Sequence, residues 1–207
     1  MRRRRRSRTG RMALLAATLA GTLLLQGCKA TDPVPEHMRP PPGHGPFTGT
    51  VADWPLWFAW HKFGIHCYSV QSCRVEYGGM SQELDRPRPS FESLGRPIDK
   101  VLHAGRGPIK NFPPPARVRW VSRDGTSLEA SVDIATIFAD RLVRHTVARE
   151  DVMEDADIPY PGIILVVDDR TISIYMSTWI PLKESLAPGN PVGNLHTGVV
   201  FVHSETY

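Results

Sequence analysis

The chain has 207 residues, and its 25 lysines and arginines outnumber 21 aspartates and glutamates, which gives a formal charge of +4. Seven of the arginines lie in the first eleven residues, MRRRRRSRTGR, where there is no acid. Without these seven, 18 basic residues face 21 acidic ones, so the rest of the chain carries a net charge of −3. A nucleic-acid-binding protein needs a basic face on its folded part, and because the charge distribution gives no support for one, we predict no nucleic-acid partner.

The arginine-rich start is followed by an uninterrupted apolar stretch. Residues 12–25, MALLAATLAGTLLL, are fourteen in number and contain no charge. A helix that spans a bilayer needs about 20 apolar residues, whereas a basic segment followed by a shorter apolar one is typical of a secretory signal peptide. We therefore predict that residues 1–27 direct export and are removed.

The apolar stretch ends in LLQGCKA, and Leu25-Gln26-Gly27-Cys28 resembles the lipobox of bacterial lipoproteins. This resemblance implies cleavage before Cys28, whose thiol then carries a lipid, so that Cys28 is the first residue of the mature protein. The alternatives are an ordinary signal peptide with a coincidental cysteine, or an uncleaved anchor. Lys29 stands where an aspartate retains enteric lipoproteins in the inner membrane. The resemblance thus implies an outer-membrane protein that faces the periplasm.

Two further parts follow the lipidation site. Residues 29–49 contain six prolines and three glycines without apolar periodicity, which predicts an extended tether from 28 to 49. We interpret His37 and His44 within it as solvated. Residues 50–207 are enough for one well-buried domain and too few for two, so we predict a single periplasmic domain there.

Two cysteines remain once Cys28 is assigned to lipidation. Cys67 and Cys73 lie in HCYSVQSC, and the periplasm favours disulfides, so we predict a bond between them. One alternative is a metal site that adds His61 and His66, although the spacing matches no zinc motif. The other is a pair of free thiols. We expect no metal and no cofactor.

Alternating apolar residues predict most of the strands. Residues 116–122 and 127–133 flank an Asp-Gly turn and predict a hairpin. A second pair is predicted at 162–168 and 171–179, with the continuously apolar first member in the centre of a sheet. Further strands are expected at 56–63, 66–77 and 198–204, whereas the turn-rich residues 80–115 predict long loops.

One segment has helical spacing. Asp133 is a suitable N-cap for residues 134–147, in which Ile134, Phe138 and Leu142 are four apart and Ile137 and Val143 extend the apolar stripe. Together with the strands, this predicts an α+β fold, a mostly antiparallel β-sheet with one main helix packed on it.

The sequence contains no G-x-S-x-G, H-E-x-x-H, S-x-x-K or P-loop motif, and we predict that the protein is not an enzyme. The most charged stretch is 150–157, EDVMEDAD. Its acids are Glu150, Asp151, Glu154, Asp155 and Asp157. They form either a solvated loop or a partner-binding segment that fits a basic cleft, because complementary charge speeds encounter and selects partners. Their spacing does not follow an EF-hand calcium loop.

A lipobox, a proline-rich stretch, a tryptophan-rich opening and a P-x-x-V-x-W strand (Pro115, Val118, Trp120) occur together here. In this combination the chain resembles the small lipoproteins encoded beside type VI secretion phospholipase effectors, several of which are immunity proteins. The resemblance implies that the protein binds a toxic lipase in the periplasm and blocks it. The alternatives are a structural or assembly lipoprotein of the envelope, a hydrolase with an unrecognised site, and a protein that binds a small ligand or a metal.

Overall fold

The structure, a computed structural model, describes residues 33–184 and 194–207. Within these ranges the chain forms nine strands and two short α-helices. The strands are β1 (Trp60–Tyr68), β2 (Val70–Tyr77), β3 (Met80–Leu84), β4 (Arg106–Lys110), β5 (Ala116–Ser122), β6 (Ser127–Val132), β7 (Gly162–Asp168), β8 (Thr171–Pro181) and β9 (Leu195–Thr206). The helices are α1 (Ile98–Val101) and α2 (Ile134–Ile137), and 3-10 turns occur at Glu36–Met38, Val51–Asp53, Glu92–Leu94 and Arg149–Asp151.

The strands form two sheets. The first has five strands in the order β4-β1-β7-β8-β9, and the second has four in the order β3-β2-β5-β6. Strands β1 and β7 are parallel, and the other pairs are antiparallel. Strand β7 is central in the first sheet and buried over nearly its whole length, as its apolar sequence predicted.

The predicted α+β fold with one main helix is wrong, because the described chain is mainly β-sheet and α2 ends at Ile137. Asp133 does cap α2 and accepts a hydrogen bond from the backbone N–H of Thr136. Beyond it, Arg141 takes a left-handed conformation with φ 55°, which ends any helix. Residues 141–143 then pair with 56–58 as an extended chain, so Phe138 and Val143 of the apolar stripe are buried without a continuous helix.

The two predicted hairpins are confirmed. Strands β5 and β6 pair as expected around the Asp-Gly turn, and β7 and β8 pair from Gly162 to Asp168. Strand β9 extends the predicted 198–204 strand to twelve residues along β8. The turn-rich residues 80–115 were predicted to be loops, yet they also contain β3, α1 and β4.

Strands β1 and β2 are consecutive in the chain and belong to different sheets. The chain changes sheets at Ser69, which has φ 48°. The structure forms the predicted disulfide between Cys67 and Cys73 across this corner, with their Cα atoms 6.5 Å apart. The bond therefore links the two sheets at the point where the chain passes between them.

The two sheets share one apolar core. The rings of Phe63 in β1 and Tyr77 in β2 lie 4.4 Å apart between the sheets. The indole N–H of Trp120 in β5 donates to the backbone carbonyl of Asp169, in the β7–β8 turn, at 2.7 Å. Contacts of this kind fix the orientation of one sheet on the other.

A covering segment, residues 89–104, lies on the opposite face of the first sheet and forms a second apolar cluster with it. Leu102 of this segment packs with Tyr68, Ile164 and Val166. The backbone of the segment passes so close to β1 that a Cβ added at Gly64 would collide with the carbonyl oxygen of His103. Glycine is therefore needed there for close packing.

Candidate functional site

Residues 34–49, which belong to the stretch predicted as a tether, lie against the domain, and we call them the N-terminal strap. The guanidinium Nη1 of Arg141 donates to the backbone carbonyls of Glu36 at 3.2 Å and Arg39 at 2.9 Å. Pro41 of the strap is buried. Arg141, which has a left-handed backbone four residues after the end of α2, thus presents the side chain that holds the strap.

The strap is fixed at its other end as well. The ring of Phe47 packs on Trp57 with centroids 4.9 Å apart, and His44 Nε2 is 3.0 Å from the carbonyl of Pro55. The buried carboxylate of Asp53 accepts from the backbone N–H of Gly49 at 2.7 Å. These bonds satisfy backbone groups that would otherwise need water, so the strap behaves as part of the domain.

An open groove of about 1190 Å³ runs beside the strap. Its walls are the strap, the tip of the β2–β3 hairpin, and the end of β4 with the proline run that follows it. The residues that line these walls include Glu36, His37, Gly78, Gly79, Met80, Ile109, Phe112 and Pro113–Pro115. Prolines restrict the backbone of one wall, so the groove has a largely fixed shape.

Three cations line the groove: Lys110, Arg117 and Arg141, of which Arg141 donates to carbonyls of the strap. Lys110 and Arg117 form no salt bridge with any residue in the described ranges. The ammonium of Lys110 lies 5.5 Å from the ring centre of Trp60, a cation–π contact. Two acids also lie on the groove: Glu76 is bonded at 2.8 Å by Arg74, whereas Glu36 forms no salt bridge within the described ranges, so the cations outnumber the free acid. The groove therefore presents apolar surface beside positive charge.

A buried polar network supports the floor of the groove. His61 Nδ1 is 2.6 Å from Asn111 Oδ1, and its Nε2 is 3.2 Å from the hydroxyl of Tyr77. The amide of Asn111 also donates to the carbonyl of Phe58 at 2.7 Å. Each of these polar side chains thus has partners, as burial requires. The network joins β1, β2 and the chain after β4.

Burial sets the charge state of this network. It lowers the pKa of His61 to about 4, against the opposing effect of the Asn111 hydrogen bond, so the imidazole is neutral near pH 7. Burial also raises the pKa of the Tyr77 hydroxyl well above its usual value. The neutral imidazole of His61 lies between the amide of Asn111 and the hydroxyl of Tyr77, and this network holds β1 and β2 in position relative to the chain after β4. Tyr77 and Asn111 present only a small part of their surface to the groove.

The acidic segment 150–157 is held on the domain surface at both ends. Val152 is buried and bridges to Leu182, while Asp157 bridges to Thr50. Glu154 is bonded by Arg149 at 2.7 Å, and this bond lowers its pKa to about 2, with Lys183 also 3.4 Å away. The four other acids, Glu150, Asp151, Asp155 and Asp157, are exposed and form no salt bridge within the described ranges.

The remaining predicted site residues are placed as follows. Cys28 lies outside the described residues. Cys67 and Cys73 are bonded to each other, which leaves no thiolate for the alternative metal site. His66 has its Nε2 3.0 Å from the carbonyl of His103 and is separate from the His61 network. Within the described ranges no three His, Cys, Asp or Glu residues are grouped as metal ligands.

Helices long and apolar enough to cross a membrane are absent from the part of the chain that the structure describes. The chain was also compared with protein-family models, with curated proteins and with solved structures, and none of them matches it. The site therefore has to be interpreted from its own geometry.

The groove and its network were not found from the sequence. His61 and Asn111 are 50 residues apart, and no local pattern connects them. The one available signal was Gly78-Gly79 after a strand, which indicates a tight turn but not what the turn faces.

Proposed function

We propose that this protein is a lipoprotein, anchored by Cys28 in the outer membrane and facing the periplasm, that binds and inhibits a protein partner. The groove is the observation that carries the proposal. Sites for small molecules bury most of the ligand surface. This groove of about 1190 Å³ is open to solvent along its length, and a loop or strand of a folded partner suits it better.

The partner that we propose is a type VI secretion phospholipase toxin, which would make the protein an immunity protein. The support is the resemblance carried by the lipobox and by Pro115, Val118 and Trp120. A lipase acts at a membrane, and an inhibitor tethered to that membrane meets it at a high effective concentration.

We assign the exposed acids a role in the same encounter. Glu150, Asp151, Asp155 and Asp157 carry charge that no neighbouring cation in the described ranges neutralises, and Met153 between them is 37% exposed. A basic surface on the partner would be attracted by this charge before the groove is filled, and the attraction would weaken as the salt concentration rises.

The test is capture of the partner by the full-length lipidated protein from detergent-solubilised envelope, followed by a lipase assay on the captured material. The double variant Lys110→Glu with Arg117→Glu reverses the charge of two of the three groove cations, leaves Arg141 to hold the strap, and should lose the partner. A matched control exchanges the exposed pair Arg119–Glu129 as Arg119→Glu with Glu129→Arg, which keeps that ion pair and should retain the partner.

The second test measures the survival of cells under attack by sibling cells. A strain without the gene should be killed by sibling cells that secrete the toxin, and the gene should restore survival. If no envelope enzyme is captured and the deletion strain survives sibling attack as well as the parent, the inhibitor proposal is wrong.

The second candidate is an assembly lipoprotein of the envelope, and strand β9 is the observation that favours it. Strand β9 forms one edge of the first sheet, is twelve residues long and carries Phe201, which is 55% exposed. Such an edge can accept a strand from another protein. Capture of a structural envelope protein that Phe201→Ser abolishes and the groove variant leaves unchanged would favour this candidate.

A further inference from the structure

We infer that the face of the domain that carries the strap rests on the phospholipid bilayer, with a row of aromatic and basic side chains in the headgroup layer. The row consists of Lys110, Trp60, Tyr160 and Trp179, and His37 of the strap packs on it. This inference rests on the proposed lipid anchor at Cys28. It does not depend on the identity of the protein partner.

The first argument is the length of chain between the lipid and the strap. Six residue steps separate Cys28 from Val34, where the docked part of the chain begins. A residue spans at most about 3.6 Å, so this stretch reaches about 20 Å whatever its conformation. A free tether up to residue 49 would have 21 residue steps and would reach about three and a half times as far. Docking of the strap therefore keeps the domain close to the bilayer.

The second argument is that the strap determines which side of the domain is close. Arg141 holds the carbonyls of Glu36 and Arg39, so the start of the strap is fixed beside the groove. The ring of His37 packs edge-on against Trp60 with centroids 4.8 Å apart. The side of the first sheet where β1 begins is therefore the side nearest the lipid.

The third argument is the chemistry of that side. Lys110 lies over Trp60, and the ring of Tyr160 is 6.3 Å from that of Trp60. Lys62 pairs with Gly162 and Gly162 with Ser177, so Trp60, two residues before Lys62, and Trp179, two residues after Ser177, lie on the same face at the same end of the sheet. Tyr160 is 38% and Trp179 54% exposed, which is unusual for such large rings.

These residue types suit a membrane surface. Tryptophan and tyrosine combine an apolar ring with a polar group and are enriched at the level of lipid headgroups, where lysine can extend its ammonium to the phosphates. The groove adjoins this row, because Lys110 belongs to both and His37, which lines the groove, packs on Trp60 of the row. A partner bound in the groove would thus be met at the bilayer surface.

The experiment uses the lipidated full-length protein in vesicles of phosphatidylethanolamine and phosphatidylglycerol that contain dibrominated phosphatidylcholine. Bromine quenches tryptophan fluorescence only at short range. We expect quenching in the wild type, partial loss in Trp179→Phe, and at least a five-fold loss in Trp60→Phe with Trp179→Phe. The matched control, Trp54→Phe, changes a half-buried tryptophan outside the row and should keep the quenching.

Three outcomes would overturn the inference. The first is vesicle-bound, palmitate-labelled protein without quenching, which would leave the anchor in place and make the row a surface for a protein partner. The second is quenching lost in Trp54→Phe and retained in the double variant. The third is the absence of lipid on Cys28, which would remove the proposed anchoring as well. Circular dichroism of each variant checks that it is folded.

Discussion

His61 links the stability of the domain to pH through its burial. Its pKa is about 4 in the folded protein and near 6.5 in the unfolded chain, mainly because burial disfavours the charged imidazole. Between these values the unfolded chain binds more protons than the folded one. The free energy of unfolding therefore falls as the pH falls from 6.5 towards 4, by about 3 kcal/mol in total, since one pKa unit corresponds to about 1.36 kcal/mol.

Replacing His61 by glutamine should remove this contribution. The His61→Gln variant should lose much less stability between pH 7 and pH 4.5 than the wild type, although it is less stable at pH 7 because the network is disturbed. Urea unfolding at several pH values measures both effects. The exposed His203→Gln is the control and should follow the wild type. An unchanged pH dependence in His61→Gln would show that the imidazole does not determine it.

At the scale of elements, the covering segment depends on the absence of a side chain at Gly64. A Cβ there would meet the carbonyl oxygen of His103, which is backbone and cannot rotate away. We expect Gly64→Ala to lower the free energy of unfolding by about 1–3 kcal/mol, the usual range for overpacking. It should also speed tryptic cleavage after Lys100, because the segment is lifted from the sheet.

Gly105 provides the matched control for this change. A Cβ at Gly105 has no atom within 4 Å, and its φ is not positive. Gly105→Ala should therefore change the free energy of unfolding, measured by urea titration, by less than about 0.5 kcal/mol. Equal effects of the two substitutions would mean that the close approach of His103 to β1 does not limit packing.

The strap depends on a single side chain at its start. In Arg141→Ala the carbonyls of Glu36 and Arg39 lose a charged donor, so the strap should open more often. A hydrogen bond to a charged group contributes about 1.5–3 kcal/mol, which corresponds to at least a tenfold increase in the open population.

Cleavage after Glu36 by a glutamyl endopeptidase measures this opening, with mass spectrometry of the product. Arg144→Ala is the control, because Arg144 bonds Asp140 and makes no hydrogen bond to the strap. Equal cleavage rates in the wild type and Arg141→Ala would contradict the role of Arg141.

The elements that the sequence predicted are those defined by local pattern. Alternation and an Asp-Gly turn were enough for β5 and β6, and a continuous apolar run was enough for a central β7. The helix at 134–147 failed because the same apolar spacing is also satisfied by one helical turn followed by extended chain that pairs with residues 56–58. The spacing of apolar residues alone does not distinguish a continuous helix from a helical turn followed by extended chain, because the extended chain can pair with a distant segment.

The groove could not be predicted from the sequence because it too depends on long-range contacts. The groove is made by segments that are far apart in sequence, and the parallel pairing of β1 with β7 spans about a hundred residues. The proline-rich composition of the strap predicted an extended and solvated chain, but composition does not reveal whether such a chain is solvated or docked. Arg141, which holds it, is more than a hundred residues away.

At the scale of the whole molecule, the proposed anchor and the docked strap work together. We propose that the anchor brings the domain to a membrane and that the docked strap leaves only a short spacer, which keeps the groove and the aromatic row near the lipid surface. An inhibitor needs both proximity to its target and a fixed orientation of its binding surface. With the proposed removal of residues 1–27 the chain carries a net charge of −3, which makes general attraction to anionic lipids weak, so the proposed orientation depends on the local row of residues.

Cys28→Ser separates the anchor from the folded domain. The variant should incorporate no labelled palmitate and should leave the membrane fraction, while its urea midpoint and its disulfide, visible on a non-reducing gel, stay as in the wild type because Cys67 and Cys73 bond each other. Affinity for the captured partner in solution should change less than two-fold, since the groove is intact. Survival under sibling attack should fall at least ten-fold, because a freely diffusing inhibitor loses the effective concentration that the anchor provides. Palmitate incorporated by Cys28→Ser would contradict lipidation at Cys28, and undiminished survival would show that the partner is met away from the membrane.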